Sequence, residues 1–433
     1  MNEVIIGILG LAVVLVLFLT GIELGFAMAL IGFLGFGYIV SFSAALNLLA
    51  KDVFDVFASY GFTVIPLFVL MGQIAFNAGI AKRLFNASYK FIGHIPGGLA
   101  MATVAGATAF KAICGSSPAT AATFASVAVP EMDRYGYSKK LSTGIVATVG
   151  TLGILIPPSV TLIVFGIITE QSIGKLFLAG IIPGLIIAFL FIVIVYGWAR
   201  INPAIAPRAE RSTWKARMRS LPEVFWVLIV FVLVVGGIMR GYFTPTEAGG
   251  VGTFAVLVLA VVKRDMTFNN YFKSVKEALR TAIMVLMLVA GSTILGHFIT
   301  VTTIPQAVAE WVGTVPLNRY LIMILICLIF ELGGSIIDDL TFLILATPIF
   351  YPAVLKLGFH PLWFGIVIGV VAMIGVVIPP VAICVFVVKN ITKIPMGTIY
   401  KGVAPFLIAL IFVWGLLFFF PGLALWLPSV FYK

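Results

Sequence analysis

Apolar runs of spanning or near-spanning length recur along the whole of this 433-residue chain. They fall at about Val4–Thr20, Leu24–Ser41, Thr63–Ala78, Gly97–Ile113, Thr143–Ile168, Leu176–Trp198, Val224–Met239, Gly249–Val262, Ala282–Phe298, Leu321–Leu332, Trp363–Val388 and Val403–Phe420. A helix needs about 20 apolar residues to cross the hydrocarbon core, whereas barrel strands alternate over about ten. The pattern therefore predicts an all-α polytopic membrane protein lodged in a lipid bilayer and excludes an outer-membrane barrel. With 62% hydrophobic and 10% charged residues, the chain could not cover a soluble globule, which is usually about a quarter charged. The first run lacks the basic segment of a signal peptide, and many others follow it.

The charge that remains is positional. A net charge of +11, from 27 Lys and Arg against 16 Asp and Glu, is concentrated in short connections, which points to membrane topology and not to nucleic acid. Between Arg200 and Pro222 stand Arg200, Arg208, Arg211, Lys215, Arg217 and Arg219 against Glu210 alone, so this linker is placed on the cytoplasmic side. Trp214 and the basic residues around it also suit a helix lying on an anionic leaflet. Two crossings later, Lys263, Arg264, Lys273, Lys276 and Arg280 fall on the same side. Asn47–Phe62 contains Lys51, Asp52 and Asp55 and reads as an interfacial helix or scaffold arm. Cys114, Cys327 and Cys384 have no CxxC spacing, His94, His297 and His360 share no spacing, and no P-loop pattern occurs. The sequence thus gives no sign of a disulfide framework, a metal centre, an organic cofactor, an enzyme or direct coupling to ATP hydrolysis.

The two halves of the chain resemble each other. Pro157–Pro158 and Pro379–Pro380 are 222 residues apart, as are Gly153 and Gly375, Gly180 and Gly402, Pro183 and Pro405, and Pro130 and Pro352. Upstream, Gly115–Ser116 pairs with Gly334–Ser335 at an offset of 219, as does Gly72 with Gly291. Paired, interrupted hydrophobic segments in two halves of a membrane chain point to a secondary transporter. An odd number of crossings between the copies would invert one relative to the other.

The interruptions have a physical meaning. Unpaired backbone cannot face hydrocarbon, so a broken helix must be buried in protein or line a cavity. A Pro-Pro pair forces such a break within Thr143–Ile168 and again within Trp363–Val388. "CGSSPATAA", from Cys114 to Ala122, interrupts apolar sequence whose two arms are too short for two full spans. It predicts a re-entrant helical hairpin with its tip at Gly115–Thr120. There Ser116, Ser117 and Thr120 supply the oxygens that hard cations prefer, and the same serines can instead, or also, cap the second arm. Its counterpart is "FELGGSIIDDLTFLILATP", from Phe330 to Pro348, with the turn expected at Gly333–Ser335. Carboxylates in such a setting are costly and usually functional. One of Asp338 and Asp339 is expected to hold or couple a cation, because helical residues one apart point about 100° away from each other. N-terminal acids neutralising the dipole of the second arm are the alternative. Lys111 is expected near the first tip or snorkelling to the interface.

These stretches resemble the large membrane subunit of the tripartite ATP-independent periplasmic (TRAP) transporters, the DctM-like type. The resemblance rests on "IPLFVLMGQI" (65–74), "GHIPGGLAMATV" (93–104), "CGSSPATAAT" (114–123), "GILIPPS" (153–159), "FTPTEAG" (243–249) and "VIPPV" (377–381), in that order. It implies an elevator-type importer with two inverted repeats, driven by two or more sodium ions, in a bacterial inner membrane. Carried over by motif, sodium would sit at Gly115, Ser116, Ser117, Thr120 and Gly153, and at Gly334, Ser335, Asp338, Asp339 and Gly375. An organic acid, such as a C4-dicarboxylate or sialic acid, would bind between the tips, at Ser116, Ser117, Pro158, Ser335 and Pro380. The implied divisions are scaffold helices and an arm (1–62), a first transport repeat (63–199, hairpin near 107–130), a basic linker with scaffold helices (200–281) and a second repeat (282–426, hairpin near 328–352). The implied partners are a small four-helix membrane subunit and a periplasmic solute-binding protein. Glu247, in the "TPTEAG" signature, receives no chemical task.

Overall fold

The computed structural model describes residues 3–314 and 316–432. Twenty α-helices run along them: α1 (Glu3–Leu19), α2 (Leu24–Ile39), α3 (Phe42–Ala58), α4 (Val64–Asn77), α5 (Ile80–Ile92), α6 (Gly98–Lys111), α7 (Ser117–Arg134), α8 (Lys139–Thr151), α9 (Val160–Ile168), α10 (Ile173–Ile201), α11 (Trp214–Met239), α12 (Pro245–Val262), α13 (Phe268–Val301), α14 (Ile304–Thr314), α15 (Arg319–Ile336), α16 (Asp339–Lys356), α17 (Pro361–Gly375), α18 (Ile383–Thr392), α19 (Met396–Phe419) and α20 (Gly422–Phe431). Many begin where the sequence offers a short oxygen-bearing side chain. Ser41, Ser116, Ser159, Ser172, Thr213, Thr267 and Asp338 each accept a hydrogen bond from a backbone N–H in the first turn.

Contacts at the two ends of the bundle fix its topology. Gly97 N donates to Ala206 O at 3.3 Å, Ser138 N to Ile205 O at 2.9 Å and Ala209 N to Gly93 O at 3.2 Å. Arg83 pairs with Asp265 and lies 3.1 Å from Glu223, which also takes Lys263 at 2.6 Å. All of these residues therefore share one end, and its excess of Lys and Arg marks it as cytoplasmic. At the other end Gln171 Nε2 donates to Tyr351 Oη at 3.3 Å, and Tyr432 Oη donates to Ile238 O at 3.3 Å.

The hairpin α6–α7 starts and finishes at the cytoplasmic end, near Gly97 and Ser138. The hairpin α15–α16 starts and finishes at the opposite end, near Tyr351 and near Phe359, whose ring centroid lies 5.4 Å from the Arg319 guanidinium. Five crossings separate the two entrances: α8–α9, α10, α11, α12 and α13. The number is odd, so the repeats are inverted.

Both breaks fall where the diprolines demand them. After α8 a short 3-10 turn (Leu152–Ile154) leads into Pro157–Pro158, and α9 restarts on the Ser159 cap. After α17 the chain unwinds through Pro379–Pro380 before α18. Both Pro-Pro bonds are cis. The first break is buried, and the prolines of the second are exposed.

By length and composition seven of the described helices could cross a membrane: α10, α11, α12, α13, α15, α16 and α19. The mixed stretch expected to be an arm forms α3, bent by 53° from the segment containing α4. α2 crosses α13 backbone to backbone, since a Cβ on Gly291 would run into Gly25 O and one on Gly32 would lie 2.6 Å from Leu295 N. Small residues allow that approach where apolar side chains have no solvent advantage.

Three helices lie outside the apolar runs, the arm and the hairpins read from the sequence. α5 is amphipathic, with both ends on the cytoplasmic side, while α14 and α20 are short. "TPTEAG" turns out to be a capping box. Thr244 N donates to Glu247 Oε2 at 2.8 Å, and Glu247 N donates to Thr244 Oγ1 at 3.3 Å, which closes the first turn of α12. Thr244→Ala is expected to cost about 1 kcal/mol of stability, read as a lower thermal midpoint of the purified protein. An unchanged midpoint would remove this role.

Candidate functional site

α6 ends at Lys111, and the chain turns through Ala112–Cys114 to Gly115. Ser116 then caps α7 by accepting from Ala119 N at 3.3 Å, with Pro118 in the first turn of the helix. The Ser116 carbonyl is the hub of this tip. It accepts from Thr120 Oγ1 at 3.0 Å and from Lys111 Nζ at 2.8 Å. Gly115 packs on the first break so closely that a Cβ there would strike Pro158 O.

The second tip differs from expectation. Gly333, Gly334 and Ser335 are still helical, and the turn lies at Ile337–Asp338. Backbone bonds from Ile337 N to Gly333 O (3.0 Å) and internal to α15 keep the glycines wound, so a Gly-Gly-Ser triplet ends its helix one turn later than composition suggests. Ser335 Oγ donates to Leu332 O at 2.9 Å, and Ser335 O accepts from Val381 N in the second break at 3.1 Å. Asp338 caps α16, its Oδ2 accepting from Thr341 N at 3.4 Å and from Thr341 Oγ1 at 3.2 Å.

The two tips meet at one cavity of about 500 Å³. Gly115, Ser116 and Ser117 line it from the first repeat, with Thr161 beyond the first break; Asp338, Asp339 and Thr341 line it from the second. Hairpins that reach one cavity from opposite ends both stop part-way through the bundle, which makes α15–α16 re-entrant despite the length of its arms. The expectation that only one aspartate faces the site does not hold. Asp338 is an extended cap residue (φ −171°, ψ 144°) and not a helical one, so the 100° argument does not apply and both aspartates line the cavity. Asp339 is 9% exposed and Asp338 is half-buried.

Thr120, Gly153, Pro158, Gly334, Ser335, Gly375 and Pro380 do not line this cavity. Most stand one layer behind it. Thr120 bonds the Ser116 carbonyl, Pro158 supports Gly115, and a Cβ on Gly375 would lie 3.2 Å from Gly334 C. Pro380 is exposed at the second break.

Sequence reasoning missed the facing wall. Glu23 and Gly25 come from the start of α2, Gly72 and Gln73 from α4, and Thr281, Met284 and Leu288 from α13. Only Gly72 gave a signal, through its pairing with Gly291. Chemically, the cavity opposes hydroxyls and two carboxylates to a wall that is mostly apolar. The side-chain donors that Ser116, Ser117, Thr161, Asp338, Asp339 and Thr341 bring to it are oxygens, the kind that hard cations favour.

Inverted repeats, each with a re-entrant hairpin and a broken helix, meeting at one shared cavity define a secondary membrane transporter. The chain belongs to the DctM component family of the tripartite ATP-independent periplasmic transporters, whose model matches residues 11–423. It is 35% identical over 384 residues to the C4-dicarboxylate TRAP transporter large permease protein DctM of Pseudomonas aeruginosa, covering 88% of this chain and 89% of that one. It is 32% identical to the sialic acid TRAP transporter large permease protein SiaM of Vibrio cholerae, over 96% of each chain. It is 34% identical to the ectoine TRAP transporter large permease protein TeaC of Halomonas elongata, over 85% of this chain and 86% of that one. Among solved structures, the Alcanivorax borkumensis YdaH transporter superposes with a TM-score of 0.59 at 13% identity, over 88% of this chain and 89% of that one, which shows likeness of fold. The chain is thus a multi-pass inner-membrane permease component that serves solute uptake, not an enzyme.

Proposed function

We propose that this chain is the large subunit of a sodium-coupled importer of a small organic acid, fed by a periplasmic binding protein and completed by a small four-helix membrane subunit. The observation that carries this reading is the meeting of the two inverted tips at one cavity of about 500 Å³, with hydroxyls on one side and the Asp338–Asp339 pair on the other. Each tip and its break form a pocket for positive charge: Gly115, Ser116, Ser117, Thr120 and Gly153 in the first repeat, Gly334, Ser335, Asp338, Asp339 and Gly375 in the second. Sodium, when bound, offsets carboxylate charge and makes the cavity receptive to an anion. The anion is held in the cavity at Ser116 and Ser117, while Ser335, behind the second tip, ties that tip to its break through the bond from Val381 N, and Pro158 and Pro380 fix the broken segments.

In this reading residues 63–199 and 282–426 form the moving body, and residues 1–62 and 200–281 form the scaffold against which it slides. Relatives that carry C4-dicarboxylates, sialic acid and ectoine support the class of cargo. The test is uptake into proteoliposomes holding both membrane subunits, with binding protein and substrate outside. An inward sodium gradient is expected to drive accumulation above equilibrium. Flux that only equilibrates substrate and ignores sodium would mark a passive channel and overturn the proposal.

A further inference from the structure

Lys111 is fully buried, 0% exposed, behind the first tip. Its ammonium donates to Ser116 O at 2.8 Å and does not line the cavity. It also lies against the first break: a Cβ on Gly153 would collide with Lys111 Nζ and come within 2.8 Å of Cδ and Cε. Among the described residues no carboxylate forms an ion pair with it. A charge buried in this way is tolerated only where polar groups replace water; here the tip carbonyl accepts from it, beside the 3-10 turn (Leu152–Ile154) that leads into the first diproline.

The second repeat is built with the opposite charge. The residue 219 positions after Lys111 is Phe330 (330 − 111 = 219), which packs on Phe342, Phe350 and Phe364 and offers no cation. By helix position the match shifts from 219 to 222 past the three extra residues of the second tip: the cap Ser116 corresponds to the cap Asp338, and the first helical residue Ser117 to Asp339 (338 − 116 and 339 − 117). One repeat therefore has neutral oxygens and a tethered cation; the other has two carboxylates and no tethered cation. We propose that the Lys111 ammonium is a built-in substitute for a coupling cation in the first repeat, so that exchangeable sodium binds only at the second tip. This rests on the cation-coupled reading above.

The experiment is equilibrium binding of radiolabelled sodium to the purified complex of both membrane subunits, with the sodium dependence of uptake measured in parallel. Asp339→Asn is expected to remove bound sodium, and Ser117→Ala to leave it in place whatever that change does to uptake. Lys111→Ala, which empties the first pocket, is expected to add about one bound sodium per chain and to raise the Hill coefficient of sodium activation by about one. Lys111→Met, similar in size but uncharged, should add none. An unaltered sodium count in Lys111→Ala, or loss of bound sodium in Ser117→Ala, overturns the proposal. If Lys111→Ala does not assemble, the Ser117 and Asp339 variants decide the matter with Lys111 intact. A wild-type complex that neither binds sodium nor responds to it defeats the cation-coupled reading itself, an outcome distinct from a failure of the lysine assignment.

Discussion

Asp339→Asn is expected to raise the sodium concentration for half-maximal uptake by about 100-fold, while the complex still assembles. The side chain is 9% exposed and sits on the first turn of α16, where it lines the cavity facing the first tip. Removing the charge from one partner of a buried ionic contact typically costs about 2–5 kcal/mol, and about 2.7 kcal/mol is a factor of 100 in affinity. The amide keeps the shape and one oxygen, so folding and packing are largely spared. Asp338→Asn makes the informative comparison. Asp338 is the helix cap, and asparagine caps about as well as aspartate, so α16 should start normally and any loss should be smaller. The measurement is initial uptake rate against sodium concentration in proteoliposomes. Equal effects at the two positions would show that charge at the tip acts without regard to place, and a wild-type response from Asp339→Asn would remove it from the cation site.

The legible parts of this molecule were those with a local physical signature. Diprolines in apolar sequence announce broken helices wherever they occur, and Ser116–Pro118 announces a helix start in a place where no span should start. The 222-residue offset links the two announcements across the chain. The end of α15 was less legible, because Gly333 and Gly334 favour a turn in isolation but here remain wound, with Ile337 N bonded to Gly333 O. That single turn of extra helix also decides the aspartates, since it puts Asp338 at a cap with extended backbone. The apolar wall was invisible for a different reason. Gln73, Thr281 and Leu288 belong to helices whose register against the tips is a tertiary fact, and nothing in their own sequence distinguishes the cavity-facing residue from its neighbours. Lys111 stood between these cases: a lone lysine near a polar interruption can snorkel or stay, and only packing against Gly153 shows that it stays.

Gly115→Ala is expected to abolish uptake without unfolding the protein. The added methyl would strike Pro158 O and would lie 3.3 Å from Pro158 C, so it meets backbone on a segment already fixed by two consecutive prolines. Neither side can yield as a flexible side chain would. The tip must therefore move away from the break, and it carries with it the Ser116 carbonyl that holds Lys111 Nζ and Thr120 Oγ1. A shift of that kind leaves most of the apolar core untouched, so the loss should fall on transport and sodium dependence far more than on thermal stability. Misplacing binding groups by about 1 Å is enough to cost about 100-fold in an organised site. Gly397→Ala serves as the control, because a Cβ there meets nothing within 4 Å and its backbone is helical; its uptake should match wild type. Activity retained in Gly115→Ala would mean that the tip and the diproline break are not held in contact during transport, and the pairing of hairpin with broken helix would lose its mechanical role.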